Sequence, residues 1–391
     1  MGGQREFDIV VYGASGYTGR LVADYLAAHY AKDASLKWAM AGRSEKKLAD
    51  VRAEIGAPAS IPLVVADADN PQSLRALARR AKCILTTVGP YQLYGEPLVA
   101  ACAEAGTDYV DLCGEPAWMA AMIGKYDATA KKSGARIVFS CGFDSIPFDL
   151  GVFFLQQKAR EKFGAPCREV KARVRKMKGK FSGGTAASLK ATMAAAFKDP
   201  AVIETLKNPF ALAQGFAGPK QPSGSKPVYD EAAGVWLAPF VMAPINTKNV
   251  HRSNALLGHA YGEDFLYSEM MMTGPGEQGE KMANAVAADT SLMGDDAPKP
   301  GEGPTKEERE TGYYDVLFIG ETAKGESLKA SVKGDMDPGY GSTSKMIAEA
   351  AIALIRERTD TPGGVWTPAP AMDAALIKRL EANAGVRFAL E

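Results

Sequence analysis

The sequence predicts an α/β protein in which a doubly wound parallel sheet is followed by a second, mixed α+β domain. Over the first 145 of 391 residues, short apolar runs alternate strictly with stretches of helical periodicity. The first apolar run ends at a glycine-rich turn that opens the first helical stretch. From residue 146 onward the alternation gives way to amphipathic strands, long loops and Ala-rich helices. Strict strand–helix alternation favours a parallel sheet with helices on both faces.

Each element of the first 145 residues follows from its local pattern. Residues 7–12 form a continuous apolar run that ends at Gly13, as expected of a buried parallel strand. Residues 17–30 follow with apolar side chains at helical spacing. The pair of patterns then repeats, with strands predicted at 36–41, 62–66, 83–88, 108–112 and 136–139, and helices predicted from Ser44 and at 71–81, 96–105 and 116–133.

The turn after the first strand is Gly13-Ala14-Ser15-Gly16-Tyr17-Thr18-Gly19, with the spacing G-x-x-G-x-x-G. Glycines at these positions permit a tight turn, close approach of a pyrophosphate and close helix–sheet packing, while N–H groups at the helix start attract phosphates. A glycine triplet alone is also compatible with a plain tight turn, but its place between a strand and a helix favours dinucleotide binding. We therefore predict a Rossmann-type domain whose cofactor-binding residues include Gly13, Ser15, Gly16, Tyr17, Thr18 and Gly19.

The end of the second strand predicts which dinucleotide is bound. NAD-specific sites place a carboxylate there for the ribose 2′-hydroxyl, whereas this chain has Arg43 and Ser44 and no carboxylate before Glu45. A guanidinium pairs well with a 2′-phosphate, although Arg43 is also compatible with a solvated helix start. We predict NADPH as the cofactor, with Asp67 near its adenine. Beside the nicotinamide ribose we place Val88, Gly89, Pro90 and Tyr91, a Gly-Pro turn that equally suits a structural role.

The remaining chain predicts a second domain with its own sheet. Residues 168–177 alternate apolar and basic side chains, which predicts a half-exposed strand whose basic stripe is either solvated or attracts an acidic substrate or carrier. Two Gly- and Pro-rich segments, 214–234 and 294–312, are typical of lids or disordered insertions. Further elements are predicted at 261–273 (strand), 276–288 (helix), 313–321 and 327–334 (a strand pair), and 341–358 and 368–382 (helices).

These patterns divide the chain into three parts. We expect an NADP(H)-binding domain over 1–145, a mixed α+β substrate domain over 146–340, and C-terminal helices over 341–391 that pack back on the first domain.

Composition excludes several classes of protein. The 46 Lys and Arg balance the 46 Asp and Glu, so neither a strongly basic nucleic-acid binder nor an acidic disordered chain is expected. Five scattered cysteines and three histidines argue against a zinc cluster, so we expect no metal and a reducing, cytoplasmic location. The N-terminus lacks the apolar core of a signal peptide, and no run approaches the roughly 18 apolar residues of a membrane span.

Motifs beyond the glycine-rich turn extend over nearly the whole chain: Ala41-Gly-Arg-Ser44, Gly89-Pro-Tyr91, Tyr109-Val-Asp-Leu-Cys-Gly-Glu115, Gly142-Phe-Asp-Ser-Ile-Pro147, Ser182-Gly-Gly-Thr185, Ala238-Pro-Phe-Val-Met-Ala-Pro-Ile-Asn246, His251-Arg-Ser-Asn254, Tyr261-Gly-Glu-Asp-Phe265 and Gly339-Tyr-Gly-Ser-Thr343. With them the chain resembles the saccharopine dehydrogenase-like oxidoreductases, and most closely their branch of trans-acting enoyl reductases of lipid and polyketide synthesis. The resemblance implies an NADPH-linked reductase with a Rossmann domain and a substrate domain.

The substrate expected from this resemblance is small and apolar. The segment 236–245 is apolar, which suits an acyl chain or isoprenoid better than the tricarboxylate amino acid saccharopine, although it is equally compatible with a buried connection. Hydride transfer to an enoyl thioester requires a hydrogen-bond donor to the developing enolate and a proton donor to the α-carbon. The candidate catalytic residues are Tyr91, Cys141, Ser145, His251 and Arg252, and of these His251 suits a structural role as well.

Three functions follow as hypotheses. The first is NADPH-dependent reduction of a C=C bond in an enoyl, acyl or isoprenoid-like substrate. The second is a C=N reductase or amino-acid dehydrogenase nearer to saccharopine chemistry, which predicts Arg and Lys clustered in the pocket. The third is a non-catalytic NADP(H)-binding, lipid-associated protein. We expect no nucleic-acid partner, a homo-oligomer, and at most peripheral contact with lipid.

Overall fold

The computed structural model describes residues 5–143, 145–180, 183–294, 296, 298–299 and 301–391. Asp144 and Ser182, which belong to two of the motifs above, lie outside the described residues. Within these ranges the strands form two seven-stranded sheets. The strands are β1 (Phe7–Tyr12), β2 (Trp38–Gly42), β3 (Leu63–Val65), β4 (Ala81–Thr86), β5 (Asp108–Val110), β6 (Arg136–Val138), β7 (Cys167–Lys178), β8 (Val228–Asp230), β9 (Val235–Pro239), β10 (Leu266–Gly274), β11 (Tyr313–Thr322), β12 (Ser327–Gly334), β13 (Gly364–Trp366) and β14 (Val386–Leu390).

Helices cover both sheets. They are α1 (Tyr17–His29), α2 (Glu45–Glu54), α3 (Pro71–Arg80), α4 (Tyr91–Tyr94), α5 (Glu96–Ala105), α6 (Pro116–Ser133), α7 (Ile146–Phe163), α8 (Gly183–Lys198), α9 (Pro200–Lys207), α10 (Ala243–Leu256), α11 (Gly276–Ala288), α12 (Lys306–Glu310), α13 (Thr343–Arg356) and α14 (Pro368–Asn383). A short 3₁₀ turn lies at Ser291–Met293, and a π-helical turn at Pro338–Ser342 leads into α13. Among the described helices, none is both long enough and apolar enough to cross a bilayer.

The first sheet is parallel throughout, with the strand order β13-β6-β5-β4-β1-β2-β3. Successive side chains of a strand point to opposite faces, and both faces of this sheet are apolar. Ile9 and Val11 of β1 pack with α1, α2 and α13, whereas Val10 packs with α3, α5 and α6. This double burial explains the continuous apolar runs of the sequence and confirms the predicted doubly wound fold.

The second sheet is mixed, with the order β14-β12-β11-β7-β10-β9-β8. Strands β7 and β10 are parallel, and the other neighbours are antiparallel. Helix α7 covers one face so closely that a Cβ on Gly151 would lie 2.3 Å from the ring of Phe318. The segment 236–245, predicted as a loop, is β9 together with the start of α10, and β10 begins at Leu266 rather than at Tyr261.

The predicted basic stripe on β7 is neutralised inside the protein. Arg173 is buried and donates to the Ser268 hydroxyl, and Arg175 pairs with Asp315 and Glu391. Because these guanidinium groups are already bonded to a hydroxyl and to two carboxylates, they offer little positive charge to an acidic carrier. Neither predicted alternative fits in full, because Arg173 is buried instead of solvated and Arg175 is already paired.

The C-terminal segment joins both sheets. Strand β13 is the edge of the first sheet beside β6, and β14 is the edge of the second sheet beside β12. Helix α13 packs on α1, β4 and β5, while α14 packs on α7 and β14. The division of the chain into three parts stays a prediction. The contacts of β13, β14, α13 and α14 show that residues 341–391 pack against both sheets.

Candidate functional site

One large cavity lies at the carboxyl ends of the parallel strands, with a volume of about 860 Å³. Loops after β1, β2, β3, β4, β5 and β6 form one wall, and α8, the start of α10 and the π-helical turn form the other. Because β1 and β4 are neighbours whose connections lead in opposite directions, the crevice above them is the switch point where dinucleotides bind in such sheets.

The glycine-rich turn has the geometry that a pyrophosphate requires. Gly13 has φ = +91°, and the N–H of Gly16 donates to its carbonyl oxygen over 2.9 Å. A Cβ on Gly19 would lie 2.1 Å from that same oxygen, so only glycine lets α1 approach the turn this closely. Helix α1 begins at Tyr17 with its N-terminus at the cavity. Of the residues predicted to bind the cofactor here, Gly13, Ser15, Gly16, Tyr17 and Thr18 line the cavity, and Gly19 acts through packing.

The adenosine end of the cavity contains Arg43 and Asp67 as predicted. Arg43 directly follows β2 and is exposed, with its guanidinium available to a phosphate. Ser44 lies behind it and caps α2 by accepting the N–H of Lys47 over 3.3 Å. Ser44 is therefore a helix cap outside the cavity lining, and Arg43 is the residue suited to a 2′-phosphate.

The turn after β4 is held in place by a buried carboxylate. Glu115 accepts the N–H of Tyr91 over 2.9 Å, the N–H of Gln92 over 2.8 Å and the hydroxyl of Ser188 over 2.8 Å. Val88 and Gly89 line the cavity, whereas Pro90 is outside its lining. Glu115 thus fixes the turn that was predicted to lie beside the cofactor and connects this turn to Ser188 of α8.

Tyr91 lines the cavity, but its hydroxyl is bound to backbone. It accepts the N–H of Leu112 over 3.0 Å and donates to the carbonyl of Thr86 over 3.4 Å. Burial raises the pKa of Tyr91 well above its usual value. Because the hydroxyl already donates one hydrogen bond and accepts another, it is poorly suited to the predicted role of proton donor. The ring of Tyr91 forms part of the cavity wall.

The half of the cavity away from the glycine-rich turn is mainly apolar. Its side chains come from both domains and include Leu112, Phe143, Met177, Leu189, Met193, Leu206, Phe240, Val241, Met242 and Ile245. Among the described lining residues, the lysines are Lys180, which pairs with Glu308, and Lys207 at the end of α9. Uncharged hydroxyl groups of Thr185, Ser188 and Tyr340 supply most of the polarity here.

Comparisons with known proteins identify the family. Residues 9–138 match the saccharopine dehydrogenase NADP binding domain. A protein of Mycobacterium tuberculosis, provisionally named as a trans-acting enoyl reductase, is 44% identical over 98% of this chain and 97% of its own length. The trans-acting enoyl reductase of Mycobacterium ulcerans is 40% identical over 96% of both chains. This chain belongs to the trans-acting enoyl reductase family.

Membership of the trans-acting enoyl reductase family confirms the resemblance drawn from the sequence motifs. The first domain is an NADP-binding domain of the saccharopine dehydrogenase type, and the protein is an oxidoreductase. Among solved structures, apo saccharopine dehydrogenase (L-Glu forming) from Saccharomyces cerevisiae aligns with a TM-score of 0.55 at 11% identity, covering 98% of this chain and 100% of that one. At this identity the likeness concerns the fold.

The other four candidate catalytic residues lie outside the cavity lining. Cys141 is fully buried, and burial raises the pKa of its thiol. The Ser145 hydroxyl accepts the amide of Asn249 over 2.5 Å inside the protein. Both side chains are buried outside the cavity lining, which favours a structural role over the predicted catalytic one.

His251 and Arg252 of α10, which were predicted to be catalytic, are likewise buried outside the cavity lining. His251 packs against Phe210 with ring centroids 4.5 Å apart, and burial, with the charge of Lys248, lowers its pKa to about 3. Arg252 donates to the carbonyl oxygens of Leu212 and Val365, and burial lowers its pKa to about 10. Both residues stabilise the junction between α10 and its neighbours.

Three residues around the cavity belong to motifs of the sequence, but no role in the site was predicted for them. Glu115 directly precedes Pro116, the first residue of α6, and its bonds to the turn after β4 were not predicted. Thr185 and Tyr340 are 155 residues apart, and their hydroxyl oxygens are 3.0 Å apart. Both residues stand in glycine-rich motifs of the sequence, but pairing across such a separation has no local pattern.

Proposed function

We propose that this protein is an NADPH-dependent reductase that transfers hydride to the C=C bond of an apolar acyl or isoprenoid-like enoyl substrate. The observation that carries the proposal is the continuity of the cavity. Its cofactor end, at Gly13 and Arg43, opens into a chamber lined by apolar side chains. Hydride from the nicotinamide of NADPH is the chemistry that the cofactor supplies when bound.

The residues of the chain position the reactants and exclude water. The turn at Gly13 and the N-terminus of α1 fit the pyrophosphate, because the space that a Cβ of Gly19 would fill is taken by backbone. Val88, Gly89 and the ring of Tyr91 support the nicotinamide side. Apolar walls such as Phe240 and Met242 hold a hydrocarbon chain and keep the reacting carbon dry.

The two alternatives are less well supported. Saccharopine-like chemistry requires several cations for its carboxylates, and the described lining residues of the chamber hold only Lys180, already paired, and Lys207 at the rim. A non-catalytic NADP(H)-binding protein would have no chamber beyond the nicotinamide. The volume of about 860 Å³ extends well past the cofactor loops into the second domain.

Three further proposals concern the surroundings of the protein. The five cysteines, all among the described residues, are buried and form no disulfide, which supports a reducing cytoplasm. Phe197 and Met193, exposed on α8, support peripheral lipid contact near the cavity. Formation of a homo-oligomer stays a prediction, and sedimentation of the purified protein tests it.

The test is a titration with NADPH and NADH, followed by addition of a long-chain trans-enoyl thioester of coenzyme A while cofactor absorbance is recorded. We expect tighter binding of NADPH and its oxidation by the enoyl thioester, with the saturated thioester as inactive control. Oxidation by a cyclic imine carboxylate instead would favour the saccharopine-like reaction. Binding of NADPH without turnover on either compound would contradict the proposed function.

A further inference from the structure

A reduction of this kind needs a proton as well as a hydride, and the cavity has few groups able to supply one. Among the described carboxyl groups of the lining, Asp67, Asp69 and Glu302 lie toward the cofactor end. A phenol is the next most acidic group available, with an ordinary pKa near 10. The tyrosines of the lining therefore decide where the proton comes from.

The described lining includes Tyr12, Tyr17, Tyr91, Tyr94 and Tyr340. Tyr94 is 42% exposed, and burial raises the pKa of Tyr12 to about 12. The hydroxyl groups of Tyr17 and Tyr91 are bound to backbone or to arginine. Tyr17 donates to the carbonyl of Pro304 and accepts from Arg309. Tyr91 is held between Thr86 and Leu112. The hydroxyl of Tyr340 lies 3.0 Å from that of Thr185, and both side chains line the cavity. A hydroxyl pair can pass a proton in either direction because each group is donor and acceptor.

The backbone around Tyr340 is fixed on the nicotinamide side of the crevice. The carboxylate of Asp337 accepts the N–H of Tyr340 over 3.0 Å and that of Gly341 over 2.7 Å. Three residues later, Thr343 accepts the N–H of Phe143, which follows β6. Because β6 lies on the β4 side of the switch point, this bond ties the π-helical turn to the half of the sheet that carries the nicotinamide.

The ring of Tyr340 also contacts the cofactor-binding turn. It packs edge-on against Tyr17 with ring centroids 5.3 Å apart. The phenol thus lies between the glycine-rich turn of the first domain and the N-terminal turn of α8 in the second. A substrate that enters the chamber beside the nicotinamide meets this phenol. Because Tyr340 is only 5% exposed, bulk water competes little with it as a proton donor.

We propose that Tyr340 is the proton donor of the reaction and that Thr185 is the positioning residue that returns a proton to it. The inference rests on the proposed enoyl reduction. Hydride adds to the β-carbon, the C=C electron pair moves to the α-carbon as an enolate, and the O–H bond of Tyr340 breaks as its proton joins the α-carbon. The phenolate then takes a proton from Thr185, which takes one from solvent. The balance is enoyl thioester plus NADPH plus H⁺ to saturated thioester plus NADP⁺.

The experiment compares Tyr340→Phe with Tyr314→Phe in the full-length protein. Tyr314 is a matched control because its hydroxyl also lies near a hydroxyl, that of Ser342 at 3.1 Å, and both residues are buried outside the cavity lining. Turnover of a long-chain trans-enoyl thioester is measured in D₂O, and the face of the α-carbon that receives deuterium is read by NMR. NADPH affinity and thermal stability are measured for each variant.

We expect Tyr340→Phe to lower kcat by about 10²–10⁴-fold, the usual contribution of a general acid, while NADPH affinity is retained. The wild type should deuterate one face of the α-carbon, and the residual product of Tyr340→Phe should carry deuterium on both faces. Thr185→Val should slow turnover less and keep the single face. Tyr314→Phe should keep both rate and face.

Three outcomes overturn the inference in distinguishable ways. If the wild type reduces the thioester and Tyr340→Phe matches it in rate and in the deuterated face, another group donates the proton and the proposed function stands. If the wild type binds NADPH and reduces no enoyl thioester, the proposed function fails and the role of Tyr340 fails with it. Loss of activity equal in Tyr340→Phe and Tyr314→Phe, with a single deuterated face in both, assigns Tyr340 a structural role.

Discussion

Three buried carboxylates hold the loops that surround the cavity. Glu115 accepts backbone N–H groups from the turn after β4, Asp111 those of Cys113 and Ser140, and Asp337 those of the π-helical turn. Burial raises the pKa of Asp111 to about 7, and the N–H donors oppose that rise. These three acidic residues therefore order the backbone around the cavity, and their presence in the sequence does not by itself indicate a catalytic role.

Arg43 is expected to distinguish NADPH from NADH. Substitution Arg43→Ala should weaken NADPH binding by about 1.5–3 kcal/mol, the usual range for charged hydrogen bonds, and NADH binding hardly at all. Lys46→Ala is the matched control, since Lys46 is a nearby cation in the first turn of α2, is paired with Asp50 and is outside the cavity lining. Titration of both cofactors measures the effect, and equal losses for NADPH and NADH would contradict the assignment.

Glu269 is expected to make the protein less stable as pH rises. Its carboxyl is buried against Asn246 and Tyr267, and burial raises its pKa to about 8 from an ordinary value of 4.5. Between these two values the unfolded chain releases the proton that the folded chain retains, so the free energy of unfolding falls with rising pH.

Glu269→Gln removes this titration while keeping an amide that can bond both neighbours. The loss of stability between pH 5 and pH 8 should then be smaller by on the order of 2–4 kcal/mol. Urea denaturation at both pH values measures it, with Glu321→Gln on the exposed surface as control. An unchanged pH dependence in Glu269→Gln would show that Glu269 is ionised in the folded protein.

The elements of the first domain were predictable because each is defined locally. Apolar runs buried on both faces, caps such as Ser44 and the turn from Gly13 to Gly19 all have short-range signatures. Strands β13 and β14 were not predicted, since β13 has three residues and both strands depend on partners far away in sequence. Likewise, the cofactor residues were predictable from one turn, whereas the pair of Thr185 and Tyr340 required the tertiary fold.

The segment before α12 lies over the cofactor turn. Gly301 and Glu302 line the cavity, and the carbonyl of Pro304 and the guanidinium of Arg309 both bond the hydroxyl of Tyr17. A Cβ on Gly303 would lie 2.6 Å from the Tyr17 ring. Since the ring is held by Arg309 and by Tyr340, it has little freedom to move away.

Gly303→Ala should therefore push this segment off the cofactor turn. Overpacking of this kind costs about 1–3 kcal/mol, so NADPH binding should weaken by roughly tenfold, because each 1.4 kcal/mol is a factor of ten. Cleavage by trypsin after Lys306 or Arg309 should become faster. Gly294→Ala is the control, because its Cβ would meet only the Ser291 carbonyl at 3.5 Å. Equal protease resistance and NADPH affinity in both variants would mean that the segment adapts to the added methyl.

The helices α13 and α14 connect the two sheets through one buried carboxylate. Glu349 is 0% exposed and accepts from Tyr25 and Tyr30 of the first domain and from Arg379 and Asn383 near the C-terminus. Because α13 packs on the first sheet and α14 on the second, this cluster lies where the two domains meet. A cavity shared by both domains requires such a rigid connection, since the cofactor turn and Tyr340 must keep their separation.

Substitution Glu349→Ala should destabilise the whole molecule and not one domain. It removes the fully buried partner of the partly buried Arg379 and the acceptor of the Tyr25 and Tyr30 hydroxyl groups, and breaking a buried ion pair costs about 3–5 kcal/mol. Glu357→Ala removes an exposed partner of the same Arg379, for which at most about 1 kcal/mol is expected. Calorimetry of the wild type should give one unfolding transition, shifted to lower temperature in Glu349→Ala and nearly unchanged in Glu357→Ala. Two separate transitions, of which Glu349→Ala moves only one, would mean that the domains unfold independently and that the cavity walls are coupled by another contact.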